Sequence, residues 1–210
     1  QRQMCIRDRG LTKKKAVVTP GVKPANAKDE EGDDEFLSPS TATDYRALVA
    51  RGNYLCQDRT DTKFAVKELS RRMAQPRRRD WRNLVRFGKY LVGRERYIIN
   101  FDYQGEYKCI DVWTDTDYAG CRETRKSTSG GVIMLGRHTL RSWSSTQKVI
   151  ALSSGEAEYY GMVRGAAEAI GSRSILADLE VSLRIRLSED STAAKGMADR
   201  SGLGLSLIHI

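Results

Sequence analysis

The amino-acid sequence predicts an α/β sandwich preceded by a small helical segment. Two observations predict it. The hydrophobic periodicity changes near Tyr97 from spacings of three and four, typical of helices, to the alternation typical of strands. The strands that follow give way to a helix, a strand and a further helix, an order that favours layered helices and sheet over a bundle or a barrel.

Composition narrows the class of protein. In 210 residues of net charge +9, no apolar run approaches the roughly 18 residues that span a bilayer, so we expect no membrane partner. Histidines occur only at positions 138 and 209, which disfavours a metal site built on nitrogen. The cysteine spacings match neither a zinc motif nor a compact disulfide framework, so we expect reduced thiols and an intracellular protein. The cysteines are Cys5, Cys56, Cys109 and Cys121.

The two ends of the chain have an unusual relation. Residues 4–9 and 205–210 can be back-translated into nucleotide strings that are reverse complements of each other, as expected of a transposase adapter from a sequencing library. We therefore interpret residues 1–9 and 205–210 as adapter-derived scars and exclude them from the fold. On this interpretation the natural chain continues beyond Gly204.

The N-terminal half of the insert divides into a linker and a helical segment. Residues 10–43 combine low hydrophobicity with blocks of like charge, which predicts a disordered linker. Residues 44–97 carry helical periodicity interrupted at Pro76, which predicts three short helices.

The remaining elements follow from alternation, turn residues and capping residues. We predict strands over 97–101 and 109–114, then a hairpin of strands 130–136 and 139–144 that turns at residues 136–138. A long helix over 154–179 has Ser153 and Ser154 as candidate N-caps. A strand over 183–187 and a helix over 191–200 complete the order.

A basic stretch between Arg71 and Arg96 contains ten basic and two acidic residues. Such a stretch suits a polyanion, because each phosphate that it neutralises releases condensed counterions. The alternative is a solvated helix face, which a charge run alone favours, and both interpretations stay open. The candidate nucleic-acid-binding residues in this stretch are Arg77, Arg78, Arg79, Arg82 and Arg86.

Three acidic residues at the ends of different elements are the candidate metal ligands. Asp115 ends a predicted strand, Glu158 lies on the apolar face of the long helix, and Asp190 ends another strand. Carboxylates from strand, helix and strand can converge on Mg²⁺, which prefers oxygen ligands, and paired Mg²⁺ ions recur in phosphodiester cleavage. Taken singly, each acid could be an ordinary surface residue, and Asp190 could be the N-cap of the next helix. Asp117 and Glu156 are secondary candidates, with a turn and a helix cap as their alternatives.

Five ordered motifs around these acids resemble the ribonuclease H domain of copia-type LTR retrotransposon Pol polyproteins. They lie at residues 114–120, 125–130, 142–145, 151–159 and 190–194. Residues 44–97 resemble the segment that joins reverse transcriptase to ribonuclease H in the same polyproteins. The resemblance therefore implies a ribonuclease H-like mixed sheet over residues 98–204. That sheet would be truncated at its C-terminal end, because the family's fourth acidic residue and last helix would lie beyond Gly204.

The resemblance also implies a function. Asp115, Glu158 and Asp190 would be catalytic residues that bind two Mg²⁺ ions, with Mn²⁺ as a substitute, and would hydrolyse the RNA strand of RNA–DNA hybrids. Lys148 and the five arginines would hold the hybrid backbone. The partners would be the hybrid and the reverse transcriptase domain of the same polyprotein, within a cytoplasmic particle. The alternative is an inactive, truncated or decayed copy that serves only as a nucleic-acid-binding or connection module.

Overall fold

A computed structural model describes most of the chain and divides it into two compact units between Ile99 and Asn100. The described residues are 15–21, 32–121 and 123–200. The adapter-like ends and much of the predicted linker lie outside these ranges. Within the described ranges, no helix combines the length and the apolar character needed to cross a membrane.

The described part of the first unit contains three α-helices, as predicted. They are α1 (Pro39–Leu55), α2 (Lys63–Ser70) and α3 (Arg78–Gly93), with a short 3₁₀ helix at Thr60–Thr62. Helix α1 begins inside the range predicted as linker. The physical reason is local: the Ser38 side chain accepts a hydrogen bond from the Thr41 amide at 3.3 Å, and Pro39 fills the first turn, where no amide donor is needed.

The three helices of the first unit share one hydrophobic core. Tyr45 and Val49 of α1 are fully or almost fully buried, and they pack with Val66 of α2 and Phe87 of α3. The buried hydroxyl of Tyr45 donates a hydrogen bond to the Leu69 carbonyl at 2.8 Å, so its polar atom is satisfied inside the core. The aromatic and apolar stripe of this segment is therefore core.

The second unit is an α/β domain with a four-stranded mixed sheet. Its elements are β1 (Cys109–Asp117), β2 (Thr128–Leu135), β3 (His138–Thr146), α4 (Ser154–Asp178), β4 (Arg184–Ser188) and α5 (Thr192–Ala198). The strand order is β3-β2-β1-β4; β1 pairs antiparallel with β2 and parallel with β4, and β2 pairs antiparallel with β3. The predicted fold class, a mixed sheet flanked by helices and preceded by a helical segment, is confirmed.

One predicted strand was wrong. Residues 97–101 form no strand, and their apolar side chains are exposed, Ile98 by 75%. The edges of the sheet are β3 and β4, and residues 97–101 pair with neither, so their strand-forming side chains alone did not make a strand. The following residues instead support the β2–β3 turn. The Gln104 side chain donates to the Leu135 carbonyl at 2.8 Å and accepts from the Arg137 amide at 2.8 Å.

Helix α4 lies unusually close to β1 because its inner face is made of small residues. A Cβ atom on Gly161 would lie 2.7 Å from the Thr116 hydroxyl oxygen, and one on Gly165 would lie 2.5 Å from the Thr114 methyl carbon. Ala157, on the same face, is fully buried. The helix backbone therefore rests against the strand, and the start of α4 is held over the end of β1.

We expect Gly165→Ala to destabilise the protein by about 1–3 kcal/mol, because the added methyl group overpacks the contact with Thr114. The matched control is Gly171→Ala in the same helix, where an added Cβ meets nothing within 4 Å. That change should stabilise the protein by about 1 kcal/mol through helix propensity alone. Urea unfolding of both variants measures the difference, and shifts of equal sign would contradict the close packing.

Candidate metal centre

The structure brings Asp115, Glu158 and Asp190 together at one edge of the sheet. One carboxylate oxygen from each lies within 4.8 Å of those of the other two. Parallel pairing explains the meeting of the two aspartates. Trp113 of β1 is paired with Ser188 of β4, so Asp115 and Asp190 each lie two residues beyond that pair. Glu158 reaches the same place from the second turn of α4.

The three carboxylates differ in their exposure. Asp115 and Asp190 are exposed, whereas Glu158 is only 7% exposed. The Oε2 atom of Glu158 is buried and has no hydrogen-bond partner among the residues that the structure describes. A buried carboxylate oxygen without a partner is costly, and such an atom in a folded protein calls for a ligand or an ion to complete it.

The electrostatics of the cluster disfavour three ionised carboxylates in the absence of a cation. Burial, followed by the negative charges of Glu189 and Asp115, raises the pKa of Glu158 from 4.5 to about 7. Asp190 adds to this rise, and a hydrogen bond from Thr116 opposes it. A bound cation would remove the repulsion and return Glu158 to its ionised form.

Glu189 is a fourth carboxylate beside the cluster that sequence reasoning did not select. The Thr114 hydroxyl donates a hydrogen bond to its Oε2 atom, and the Asp190 amide donates to its Oε1 atom at 3.3 Å. Burial raises the pKa of Glu189 above its usual value. The sequence signal that could have identified Glu189 was its position next to Asp190 at the end of a predicted strand.

Glu156, a secondary candidate, caps helix α4 and is not a member of the cluster. The Leu152 amide donates to its Oε2 atom at 2.7 Å, and the Glu156 amide donates to the Ser153 hydroxyl at 3.1 Å. The Ser153 hydroxyl satisfies one amide that the first turn of a helix leaves free, and the Glu156 carboxylate ties the residue before the N-cap to that turn. The Tyr160 hydroxyl occupies the other carboxylate oxygen of Glu156 at 3.0 Å.

The structure also shows where Asp190 and Asp117 lie. The N-cap of α5 is Ser191, whose hydroxyl accepts from the Ala194 amide at 3.2 Å, so Asp190 is left available to the cluster. Asp117 is exposed at the end of β1, against Gly120, and is not a member of the cluster.

The predicted nucleic-acid-binding residues fall into both units. Lys148 is exposed in the loop between β3 and α4. The preceding Gln147 is buried and donates to the Ala157 carbonyl at 2.8 Å, which ties this loop to the start of α4. The five arginines belong to the first unit, between the N-cap and the middle of α3, and four of them are ion-paired with acidic residues of the chain.

The fold and the cluster together define an α/β protein with a carboxylate site suited to a hard divalent cation. Comparison with known proteins identifies relatives of this chain. The chain is 35% identical over 142 residues to the retrovirus-related Pol polyprotein from transposon RE2 of Arabidopsis thaliana, and 34% identical over 142 residues to that from transposon RE1. Both matches cover 67% of this chain and 10% of the polyprotein.

A third relative is secreted RxLR effector protein 161 of Plasmopara viticola, with 34% identity over 135 residues, which cover 64% of this chain and 89% of that protein. No family model matches the chain, and no solved structure matches it significantly. The chain belongs to the family of copia-type retrotransposon Pol polyproteins and spans a small part of their length.

We expect the metal-free protein to lose stability as the pH rises from 4.5 to about 7. The folded-state pKa of Glu158 lies above its value of 4.5 in the unfolded chain, so the native state binds more protons in this window. The loss should be on the order of 2 kcal/mol for one buried carboxyl group. Urea unfolding in EDTA across this pH range measures it.

Glu158→Gln should flatten this pH dependence, and saturating Mg²⁺ should flatten it in the wild-type protein. Glu156→Gln is the matched control, because an amide oxygen can still accept the capping hydrogen bond outside the cluster. If Glu158→Gln retained the wild-type slope, the raised pKa of Glu158 would be refuted.

Proposed function

We propose that this chain is a ribonuclease H that hydrolyses the RNA strand of RNA–DNA hybrids in an Mg²⁺-dependent reaction during reverse transcription. The observation that carries the proposal is the cluster of Asp115, Glu158 and Asp190, with its buried and unpartnered Glu158 oxygen. Membership of a Pol polyprotein family supports it, because these relatives indicate an enzymatic region of a polyprotein.

The residues present fit a magnesium centre. All three ligands are carboxylate oxygens, the donors that Mg²⁺ prefers, and Mn²⁺ accepts the same donor set. The raised pKa of Glu158 indicates a site that is short of positive charge. Asp115, Glu158 and Asp190 would hold the ions. When bound, a pair of Mg²⁺ ions supplies an activated water and stabilises the leaving 3′ oxygen.

The chain's own residues would position the site, contact the substrate and set the local charge. Glu158, buried and fixed by the close packing of α4 on β1, would set the position of the site. The exposed Asp115 and Asp190 would face the substrate. Glu189, whose charge acts most strongly on Glu158, would add to the negative potential that attracts cations. Contacts to the 2′-hydroxyl would distinguish RNA from DNA.

Lys148 would contact the phosphate backbone of the hybrid from the loop before α4. The first unit would serve as the connection to the reverse transcriptase domain of the same polyprotein. The competing function is a non-catalytic nucleic-acid-binding or connection module, and it differs from the nuclease in needing neither the metal nor the carboxylates.

We expect the full chain to cleave the labelled RNA strand of an RNA–DNA hybrid in Mg²⁺, and Asp115→Asn to slow cleavage on the order of 10³-fold. Denaturing gels measure the rate. Asp178→Asn, an exposed residue at the end of α4, is the control and should cleave at the wild-type rate.

Metal binding gives a readout that is independent of turnover. Isothermal titration calorimetry should show that Asp115→Asn lowers the affinity for Mn²⁺ by about tenfold or more, since even residues outside a coordination shell contribute that much to metal affinity. Binding of the hybrid that is salt-sensitive and metal-independent, without cleavage, would overturn the nuclease and favour the non-catalytic module.

A further inference from the structure

The arginine cluster at the start of α3 is covered by acidic residues from an earlier part of the chain. The acidic segment consists of Asp33, Asp34 and Glu35. Its ion pairs are Arg77 Nη1 and Arg79 Nη1 with Asp34 Oδ1 at 2.9 and 3.0 Å, Arg78 Nη2 with Glu35 Oε2 at 2.9 Å, and Arg82 Nη2 with Asp33 Oδ2. Four of the five arginines predicted to bind nucleic acid are therefore occupied from within the chain.

The acidic segment is positioned by its backbone as well as by its charges. The Arg78 amide donates to the Glu35 carbonyl at 3.0 Å, and the Arg79 amide donates to the Asp33 carbonyl at 3.2 Å. Just beyond the segment, the Arg77 guanidinium lies 5.1 Å from the centre of the Phe36 ring. The main-chain contacts do not depend on carboxylate charge, so the charge of the segment can be changed while its path is kept.

Most of these ion pairs face solvent. The side chains of Arg78 and Glu35 are 62% and 59% exposed, and that of Asp34 is 74% exposed. Exposed ion pairs contribute little to stability and exchange readily for other partners. Folding stability alone therefore gives a weak reason for the carboxylates of Asp34 and Glu35, whereas that of Asp33 is only 13% exposed.

The chemistry of the segment matches that of a nucleic-acid backbone. Arginine binds carboxylate and phosphate oxygens through the same planar fork of donors, so the two groups compete for one site. We propose that the acidic segment is an internal competitor that occupies a phosphodiester-binding surface formed by Arg77, Arg78, Arg79 and Arg82. The partner of this surface is the sugar–phosphate backbone of a nucleic acid, bound without base readout.

The test is the affinity of the full chain for a fluorescein-labelled RNA–DNA hybrid, followed by fluorescence anisotropy in EDTA, where no metal-dependent cleavage occurs. The variant D33N/D34N/E35Q should bind about tenfold more tightly than the wild type. Its affinity should also fall more steeply with salt, by about two to three units in the log–log slope, because more phosphates are neutralised.

A control of equal charge separates competition from general attraction. The variant D102N/E106Q/E180Q removes three exposed carboxylates of the second unit and changes the net charge by the same amount. It should bind within about twofold of the wild type. Equal affinities for the two triple variants would overturn the proposal.

Two further variants test the named residues. Adding R78Q/R79Q/R82Q to the neutral segment should return the affinity to near the wild-type value; if the gain persisted, the arginines would not be the binding surface. Asp34→Asn alone changes the most exposed carboxylate of the segment, which contacts two arginines, and should give a smaller gain in the same direction. Cleavage by the carboxylate cluster is a separate measurement, so either proposal can fail without the other.

Discussion

The close approach of α4 to β1 is the constraint on which the second unit depends. Glycine at positions 161 and 165 lets the helix backbone rest on Thr116 and Thr114, where a methyl group would already collide. Because the helix is held so close, Glu158 is carried into the sheet edge and buried beside Asp115. The arrangement of the carboxylates is thus a consequence of close packing by small residues several positions away from them.

The carboxylate cluster of the second unit and the acidic segment of the first unit differ in the partners of their carboxylates. At the carboxylate cluster of the second unit, burial and then neighbouring negative charges raise the pKa of Glu158, and one of its oxygens has no hydrogen-bond partner among the described residues. In the first unit, Asp33, Asp34 and Glu35 each meet an arginine. One arrangement is complete within the chain and the other calls for an ion from solution, and this difference points to the second unit as the place of chemistry.

The pattern of hydrophobic residues predicted most of the elements, and its failures have physical causes. Strands β1 to β4 and helix α4 were predictable because burial on one face imposes a period of two or of about 3.6 residues. Residues 97–101 have strand-forming side chains but pair with neither edge strand of the sheet, and a local pattern cannot reveal whether a segment finds a pairing partner. The start of α1 was missed because blocks of charge obscured the capping signal of Ser38 and Pro39.

By itself, the sequence determined the order and chemical type of the acidic residues, and hence the elements on which Asp115, Glu158 and Asp190 lie. Only the tertiary structure decided which partner each charged group has. It placed Glu189 beside the cluster, assigned Glu156 to the start of α4, and paired the arginines around the start of α3 with acids more than forty residues earlier. The reason is that charges interact through space, over distances that packing sets and that spacing along the chain does not encode.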